Sequence, residues 1–469
     1  MAARLRGKAK AGSNVRPMSS KIKLRKPHWG RPPKLPIHRR LSQAIEIHKG
    51  GKIDEAAARY RQILADEPDH VDALNFLGVA EHQLGRPETA LDLLGRALAL
   101  LPDHPDARNN RGNVYKELGR LDEAEADYRR ALALRPGDAG ALNNLGTVLR
   151  QRGDLEAAAA TLRRVIALRP THVAAWQNLG NVLGELHQYD EALDAHREAI
   201  RLAPQSADCY RNLGAMLNAV GRTAEATDVY QQWLLHLPDD PRARHFVAAC
   251  TGQAVPSRAS DDYVRAEFDG FAATFDEVLG RLEYRAPALV ADELARLGGG
   301  APAWLDVLDA GCGTGLCGPR LRPAARRLVG VDLSSAMVEL ARKRVIYDAL
   351  VVGELLAYLR EHPSSFDAIV SADTLVYFGD LGEVALAAAR ALRPGGILVF
   401  TVEALASPAG SAGYRINPHG RYSHTREYLL QVLAAAGLEP PSLTEVVLRK
   451  EATDWVGGYL IGAQAPRAP

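Results

Sequence analysis

The stretch Trp304–Gly318, WLDVLDAGCGTGLCG, decides how the second half of this chain is read. An apolar run, roughly Asp306–Ala310, leads into a loop with glycine at 311, 313, 315 and 318 and then into a helical segment. A glycine loop between strand and helix lets backbone approach a ligand closely, because no Cβ holds it off. Gly313-x-Gly315-x-x-Gly318 is a literal dinucleotide fingerprint, a pattern that more than one enzyme class carries. Asp309 extends it to acid-x-Gly-x-Gly-x-Gly through Gly311, Gly313 and Gly315.

The landmarks that follow sort those classes. Asp332 closes the next strand-like run, 23 residues after Asp309, where a carboxylate can accept both hydroxyls of a ribose. That feature marks a nucleoside without saying which. VVGELLAYL then predicts a third strand ending before Glu354, and SFDAIVSADTLVYF a fourth with Ser371–Asp373 at its carboxyl end. ALRPGGILVFTVE reads as helix, tight turn and strand. A dehydrogenase would need a second nucleotide-binding half, for which the chain has no room.

This order of acids, glycines, Phe-Asp and Leu-Arg-Pro-Gly-Gly resembles the class I S-adenosylmethionine-dependent methyltransferases over residues 263–469. The resemblance implies S-adenosylmethionine as cofactor. It assigns Asp309, Gly311, Gly313 and Gly315 to the methionine part, Asp332 to the ribose, Glu354 to the adenine amino group, and Ser371 to the cofactor-facing strand end. Glu354 departs mildly, since Asp is commoner in that role. The segment DDYVRAEFDGFAATFDEVLGRLEYRAP has helical apolar spacing and is expected to form a lid, with Phe275 or Tyr284 near the methionine carboxylate. Asp373, Tyr377 and His424 are the candidate catalytic bases, needed only if the acceptor must lose a proton. The insert ALASPAGSAGYRINPHGRYSH, at the end of the fifth strand, is expected to be a polar loop shaping the acceptor site. The place of an Asn-Pro-Pro-aromatic loop is taken by SADT, and no Pro-Cys pair occurs there, which disfavours adenine-N6 and cytosine-C5 methylation of DNA.

The first half has a different organisation. Pro68, Pro102, Pro136, Pro170, Pro204 and Pro238 recur every 34 residues, as do Gly78, Gly112, Gly146, Gly180 and Gly214. Ala56, Ala90, Ala124, Ala158, Ala192 and Ala226 keep the same step. Apolar residues between them follow helical spacing, small residues permit close helix approach, and proline closes the second helix of each pair. The pattern resembles the tetratricopeptide repeat, with six copies over 37–240. Such arrays present a groove lined by the first helix of each pair. Asn110, Asn144, Asn178 and Asn212 share one position of the repeat and are the candidate peptide-binding residues, since an amide both donates and accepts.

Residues 1–40 hold 13 Lys or Arg and no Asp or Glu, while the remainder carries 45 basic against 56 acidic residues. The basic head, 1–36, is expected to be disordered, with a weak grip on nucleic acid or an anionic surface. With 47% hydrophobic and 24% charged residues and no apolar run long enough to span a bilayer, the composition predicts a cytoplasmic protein. Cys312 and Cys317 have no second pair to complete a zinc site, so no metal is expected.

The expected architecture is therefore multidomain: a basic head (1–36), an all-α tetratricopeptide solenoid (37–240), a capping helix and linker (241–262), and an α/β Rossmann-like methyltransferase domain (263–469). The whole resembles bacterial tetratricopeptide-containing methyltransferases. The function this implies is methyl transfer to an unidentified acceptor, with the array recruiting a protein or peptide. The alternative is a scaffold that binds cofactor without turnover.

Overall fold

A computed structural model describes residues 35–299, 304–406, 412–451 and 454–467. The basic head lies almost wholly outside them, as do residues 407–411 of the insert. The chain divides into two compact units, Met1–Leu134 and Arg135–Pro469.

The first unit is three helix pairs: α1 (Ile37–Lys49) with α2 (Ile53–Asp66), α3 (Val71–Gln83) with α4 (Pro87–Leu100), and α5 (Pro105–Glu117) with α6 (Leu121–Leu134). The second begins with three more: α7 (Ala139–Gln151) with α8 (Leu155–Leu168), α9 (Val173–Glu185) with α10 (Tyr189–Leu202), and α11 (Ala207–Ala219) with α12 (Thr223–His236). Helix α13 (Pro241–Thr251) follows, where a capping helix was expected. Each second helix ends two residues before the periodic proline, whose ring cannot continue it.

The glycine series has a specific cause. The side chain sixteen residues on packs against each one: Leu94 on Gly78, Tyr128 on Gly112, Leu162 on Gly146, His196 on Gly180 and Tyr230 on Gly214. A Cβ at Gly146 would sit 2.8 Å from Leu162, and at Gly214 only 2.2 Å from the Tyr230 ring. A second series makes the turn within each pair, where φ must be positive. Gly51, Gly85, Gly119, Gly153 and Gly221 supply it, and His187 does so in the fifth repeat at φ 59°.

The rest of the second unit is a sheet flanked by helices. Helices α14 (Asp261–Phe271), α15 (Phe275–Arg281) and α16 (Ala286–Leu297) precede β1 (Leu305–Ala310). Then come α17 (Gly318–Leu321), β2 (Ala325–Asp332), α18 (Ser335–Lys343), β3 (Ala349–Val352), α19 (Leu355–Glu361) and β4 (Phe366–Ser371). Helix α20 (Gly382–Ala391), β5 (Leu392–Ala404), β6 (Tyr414–Ile416), β7 (Tyr422–His424), α21 (Arg426–Ala435), β8 (Ser442–Glu451) and β9 (Asp454–Gln464) complete it. Strands β3-β2-β1-β4-β5 are parallel neighbours, so the chain reverses its winding between β1 and β4. Ligands bind at such a reversal, beyond the carboxyl ends of the strands. Strand β9 runs antiparallel to β5, and β8 pairs with β9.

Two details differ from the expected course. The Pro394-Gly395-Gly396 turn is absorbed into β5 as an irregularity, where the pairing register jumps from Leu392 to Ile397. The insert after β5 is no open loop: β6 and β7 form an antiparallel hairpin, and β7 lies parallel to the end of β5.

Two predictions follow from this packing. Gly146→Ala should destabilise the repeats by about 1–3 kcal/mol through overpacking against Leu162; an unchanged melting temperature by circular dichroism would refute the contact. The second concerns His196, which is 1% exposed, has no partner for either ring nitrogen among the described residues, and is brought by burial from 6.5 down to about 4. Between these values the unfolded chain binds a proton that the folded chain refuses, so stability is lost as pH falls through this window. His196→Leu should therefore gain about 1 kcal/mol relative to wild type between pH 7.5 and 5.5. Equal stability differences at the two pH values, in urea unfolding, would rule this out.

Candidate functional site

The glycine loop is shaped by what crowds it. Gly311, at φ 81°, donates its N–H to the Val331 carbonyl, and Thr374 Oγ1 stands 2.0 Å from where a Cβ would be. Only glycine fits this combination of left-handed backbone and close approach. Asp332, at the end of β2, clamps the loop: one oxygen accepts from Gly313 N at 2.8 Å, the other from Ser334 N at 2.9 Å. A carboxylate has about four lone-pair sites, so acceptor capacity remains beyond these backbone contacts. Burial raises the Asp332 carboxyl, against the pull of those amides.

Above the strand ends lies a cavity of about 300 Å³. Its floor includes Gly311, Gly313, Asp332 and Asp373, and its walls Tyr284, Glu354, Tyr377, Arg421 and Arg449. Helices α14 and α15 close one side with Phe268, Phe271, Phe275, Val278 and Leu279, where the lid was expected. Phe275 makes edge contacts with Phe268 and Phe271, and Phe268 with Tyr377 at 5.3 Å. The charged lining residues are Glu267, Asp332, Glu354, Asp373 and Glu451 against Arg258, Arg421 and Arg449, an acidic balance.

Not every expected residue reaches this space. Asp309 is fully buried beneath the loop rather than in the cavity wall. One oxygen accepts from the Tyr347 hydroxyl at 2.6 Å and the other has no partner among the described residues. Burial pushes its carboxyl up to about 7, only partly offset by that hydroxyl. Gly315 packs against Tyr347 and Arg344 and serves the loop's interior. Ser371 is turned away: its hydroxyl donates to the Ala310 carbonyl, tying β4 to β1, and it does not line the cavity. Glu354 does line it, yet both its oxygens cap α19 through Leu356 N and Ala357 N.

The candidate bases separate in the same way. His424 is corrected outright. It is fully buried at the end of β7, stacked on Tyr428 and bonded through Nε2 to the Gly379 carbonyl, and it does not line the cavity. Burial brings its imidazole down to about 4. Tyr377 lines the cavity, but burial pushes its hydroxyl up to about 12, so at neutral pH it is a hydrogen-bond donor and not a base. Asp373 remains. Its backbone is held at φ 52°, a conformation costing about 1–3 kcal/mol for a non-glycine residue. Burial raises its carboxyl, with Arg449 and Thr401 opposing.

What holds Asp373 is a charge network that no motif marks. Arg449 on β8 reaches Asp373 at 2.9 Å, Glu451 at 2.7 Å, and Glu403 on β5. Arg421, from the β6–β7 hairpin, pairs with Glu403 at 2.7 Å and Glu451 at 2.5 Å. Burial opposes ionisation of Glu403, but Arg421, His419 and Arg449 outweigh it and bring its carboxyl down to about 2. Arg449 and Asp373 are 76 residues apart, and only the β5–β9–β8 pairing brings them together.

In the repeats, Asn110 donates to Asn75 at 2.9 Å in the first unit, and Asn178 to Asn143 at 3.0 Å in the second. These amides bridge neighbouring repeats, so part of the asparagine series serves helix packing. Asn110, Asn144, Asn178 and Asn212 are all half-buried. In the second unit, first helices also face the catalytic half: Gln151 donates to Glu277, Arg211 pairs with Glu267, and Asn218 donates to the Pro418 carbonyl. No helix among the described residues is long and apolar enough to cross a membrane, and no described group of three or more His, Cys, Asp or Glu is placed to hold a metal.

Comparison with known proteins agrees with this organisation. The family described as methyltransferase domain matches residues 308–400, and tetratricopeptide repeat families match 49–107, 109–173 and 171–234. The chain is 33% identical to methyltransferase-like protein 27 of Homo sapiens over 136 residues, 29% of this chain and 55% of that protein. It is 30% identical to a probable S-adenosylmethionine-dependent methyltransferase of Mycolicibacterium smegmatis, over 35% of this chain and 64% of that protein. A malonyl-[acyl-carrier protein] O-methyltransferase of Yersinia pestis is 33% identical over 20% of this chain and 35% of its own length. The chain thus spans between about a third and two thirds of these curated relatives. Among solved structures it is similar to MamA (24% identity, TM-score 0.32, 35% of this chain and 96% of that one) and to the pilus biogenesis factor PilW (22%, 0.42, 44% and 96%). The chain carries tetratricopeptide repeats followed by a class I methyltransferase domain, with distant homologues among S-adenosylmethionine-dependent enzymes.

Removing the hub of the charge network should show its weight. Arg449→Met leaves Asp373 buried without its cationic partner and Glu403 with Arg421 as its remaining arginine, which should cost about 3–5 kcal/mol at pH 7. A loss below about 1 kcal/mol in denaturant unfolding would mean the carboxylates are solvated instead.

Proposed function

We propose that this protein transfers a methyl group from S-adenosylmethionine to an acceptor held beside Asp373, and that its repeats recruit a protein or peptide. The observation that carries the cofactor reading is the Asp332 clamp. A carboxylate at the end of β2 lines the cavity, is fixed by two loop amides, and keeps lone pairs for ribose hydroxyls. The cavity fits the cofactor in other respects. Gly313 presents backbone without a side chain, the cavity has the size of a small-molecule site, and the acidic lining suits a sulfonium cation. Asp309, with one buried oxygen that has no partner among the described residues, is suited to receive the ammonium group through water. Tyr284 on the cavity wall offers a hydroxyl to the methionine carboxylate. Glu354 reaches the adenine amino group only with the lone pairs its helix cap leaves.

Bound S-adenosylmethionine supplies an already electrophilic methyl group. The chain's own task is to hold the acceptor in line and keep water out, and orientation of this kind is worth up to about 7–11 kcal/mol. The aromatic wall of α14 and α15 excludes water. Asp373 accepts a proton or hydrogen bond from the acceptor, its raised carboxyl bringing it nearer neutral pH than an ordinary aspartate. Tyr377 donates a hydrogen bond.

Isothermal titration tests the reading directly. Wild type should bind S-adenosylmethionine, and Asp332→Ala should weaken binding by about tenfold or more, the value of one charge-assisted hydrogen bond. No binding by wild type would leave a scaffold built on the repeats, and an unchanged dissociation constant in the variant would remove Asp332 from the ribose.

A further inference from the structure

The wall of the cavity formed by α14 is held from two sides. Toward the sheet, Asp269 accepts from Ser334 Oγ at 2.5 Å, and Asp276, just beyond on α15, accepts from Thr314 Oγ1 at 2.5 Å and pairs with Arg344. Ser334 is also bonded to Asp332, so these tethers reach the cofactor side of the cavity. Toward the repeats, Glu267 accepts from Arg211 of α11 at 3.2 Å, and Glu277 accepts from Gln151 of α7 at 2.9 Å.

Glu267 is the residue where the two halves meet. It lines the cavity, yet its charge partner belongs to the sixth repeat. The ion pair is partly buried, with Arg211 33% and Glu267 19% exposed, so the charges interact more strongly than a surface pair. Arg211 Nε and Glu267 Oε2, the atoms outside this contact, are buried without a hydrogen-bond partner among the described residues. The other charge contact of Arg211, with Asp208 on its own helix, is longer at 3.9 Å. Around the pair, Tyr263 and Val264 of α14 share one apolar cluster with Leu213, Tyr230 and Phe246, and Tyr263 stacks on His245 at 3.8 Å. The last repeat and the cavity wall therefore share one continuous packing.

We infer that Arg211 is a positioning residue for cofactor binding: from the sixth repeat it fixes Glu267 and thereby holds α14 closed over the methyltransferase cavity. The inference rests on the reading of that cavity as the S-adenosylmethionine site. The repeats are then a working part of the catalytic half and more than a recruiting arm. A ligand that engaged Arg211 in the repeats would loosen the wall through the same contact.

The test is calorimetric titration of S-adenosylmethionine into the full-length chain, with melting temperatures measured on each variant. Arg211→Met should weaken binding about five- to tenfold, Arg211→Lys should restore most of it, and Arg211→Met with Glu267→Gln should be no weaker than Arg211→Met alone. Arg244→Ala, an exposed arginine of α13, should bind as wild type. Wild-type affinity in Arg211→Met overturns the inference, as do strictly additive effects of the two substitutions. Loss of binding that Lys fails to restore, with the melting temperature unchanged, assigns Arg211 a packing role and overturns it as well. Failure of wild type itself to bind sinks the cofactor reading first, and this inference with it.

Discussion

One guanidinium organises the catalytic half. Arg449 reaches out from β8 to Asp373 beyond β4, Glu403 on β5 and Glu451 on its own strand. Two carboxylates on facing strands are unstable in a low-dielectric interior unless a cation lies between them. With Arg449 and Arg421 in place, they become a rigid rim instead of a repulsive one. That rim keeps Asp373 in its left-handed backbone, draws the β6–β7 hairpin onto the sheet through Arg421, and sets the polar side of the cavity opposite the aromatic side. The placement of Asp373 in the cavity depends on this pairing more than on any glycine.

The repeats obey a simpler constraint. A periodic glycine exists because a large side chain occupies its missing Cβ, and the identity of that side chain is free as long as it fills the space. Leucine and tyrosine fill it in four repeats, and histidine in the fifth, without a partner for its nitrogens among the described residues. The same fifth repeat puts His187 where the other turns use glycine. Both departures weaken local consistency. They sit in the repeat next to the one whose Arg211 joins the cavity wall. The hairpin turn carries a similar message: Gly420, at φ 86°, receives Tyr263, His245 and Phe246 where a side chain would stand. The insert is therefore a docking element between α13 and the sheet, not a solvated loop.

Much of this was legible in the residues alone. The 34-residue period gave helix number and turn positions, because packing against an identical neighbour forces the same residue size at the same step. Strand, glycine loop and acid gave the cavity floor, because close backbone approach and a carboxylate at a strand end are local features. Gly311, Gly313 and Asp332 line the cavity. Ser371 and His424 do not, although both sit in suggestive positions. A period-two strand tells that neighbours face opposite ways, but not which face meets the ligand when both faces are buried.

The sequence by itself determined the elements and the conformation of the glycine loop, since these depend on steric rules acting over a few residues. Tertiary structure decided which charges meet. Arg449 finds Asp373 across 76 residues through two antiparallel pairings, and Arg211 finds Glu267 across 56 through the docking of α14 on the last repeat. Coulombic partners are chosen by distance in space, and a sequence records no such distance until the packing of apolar faces has set it.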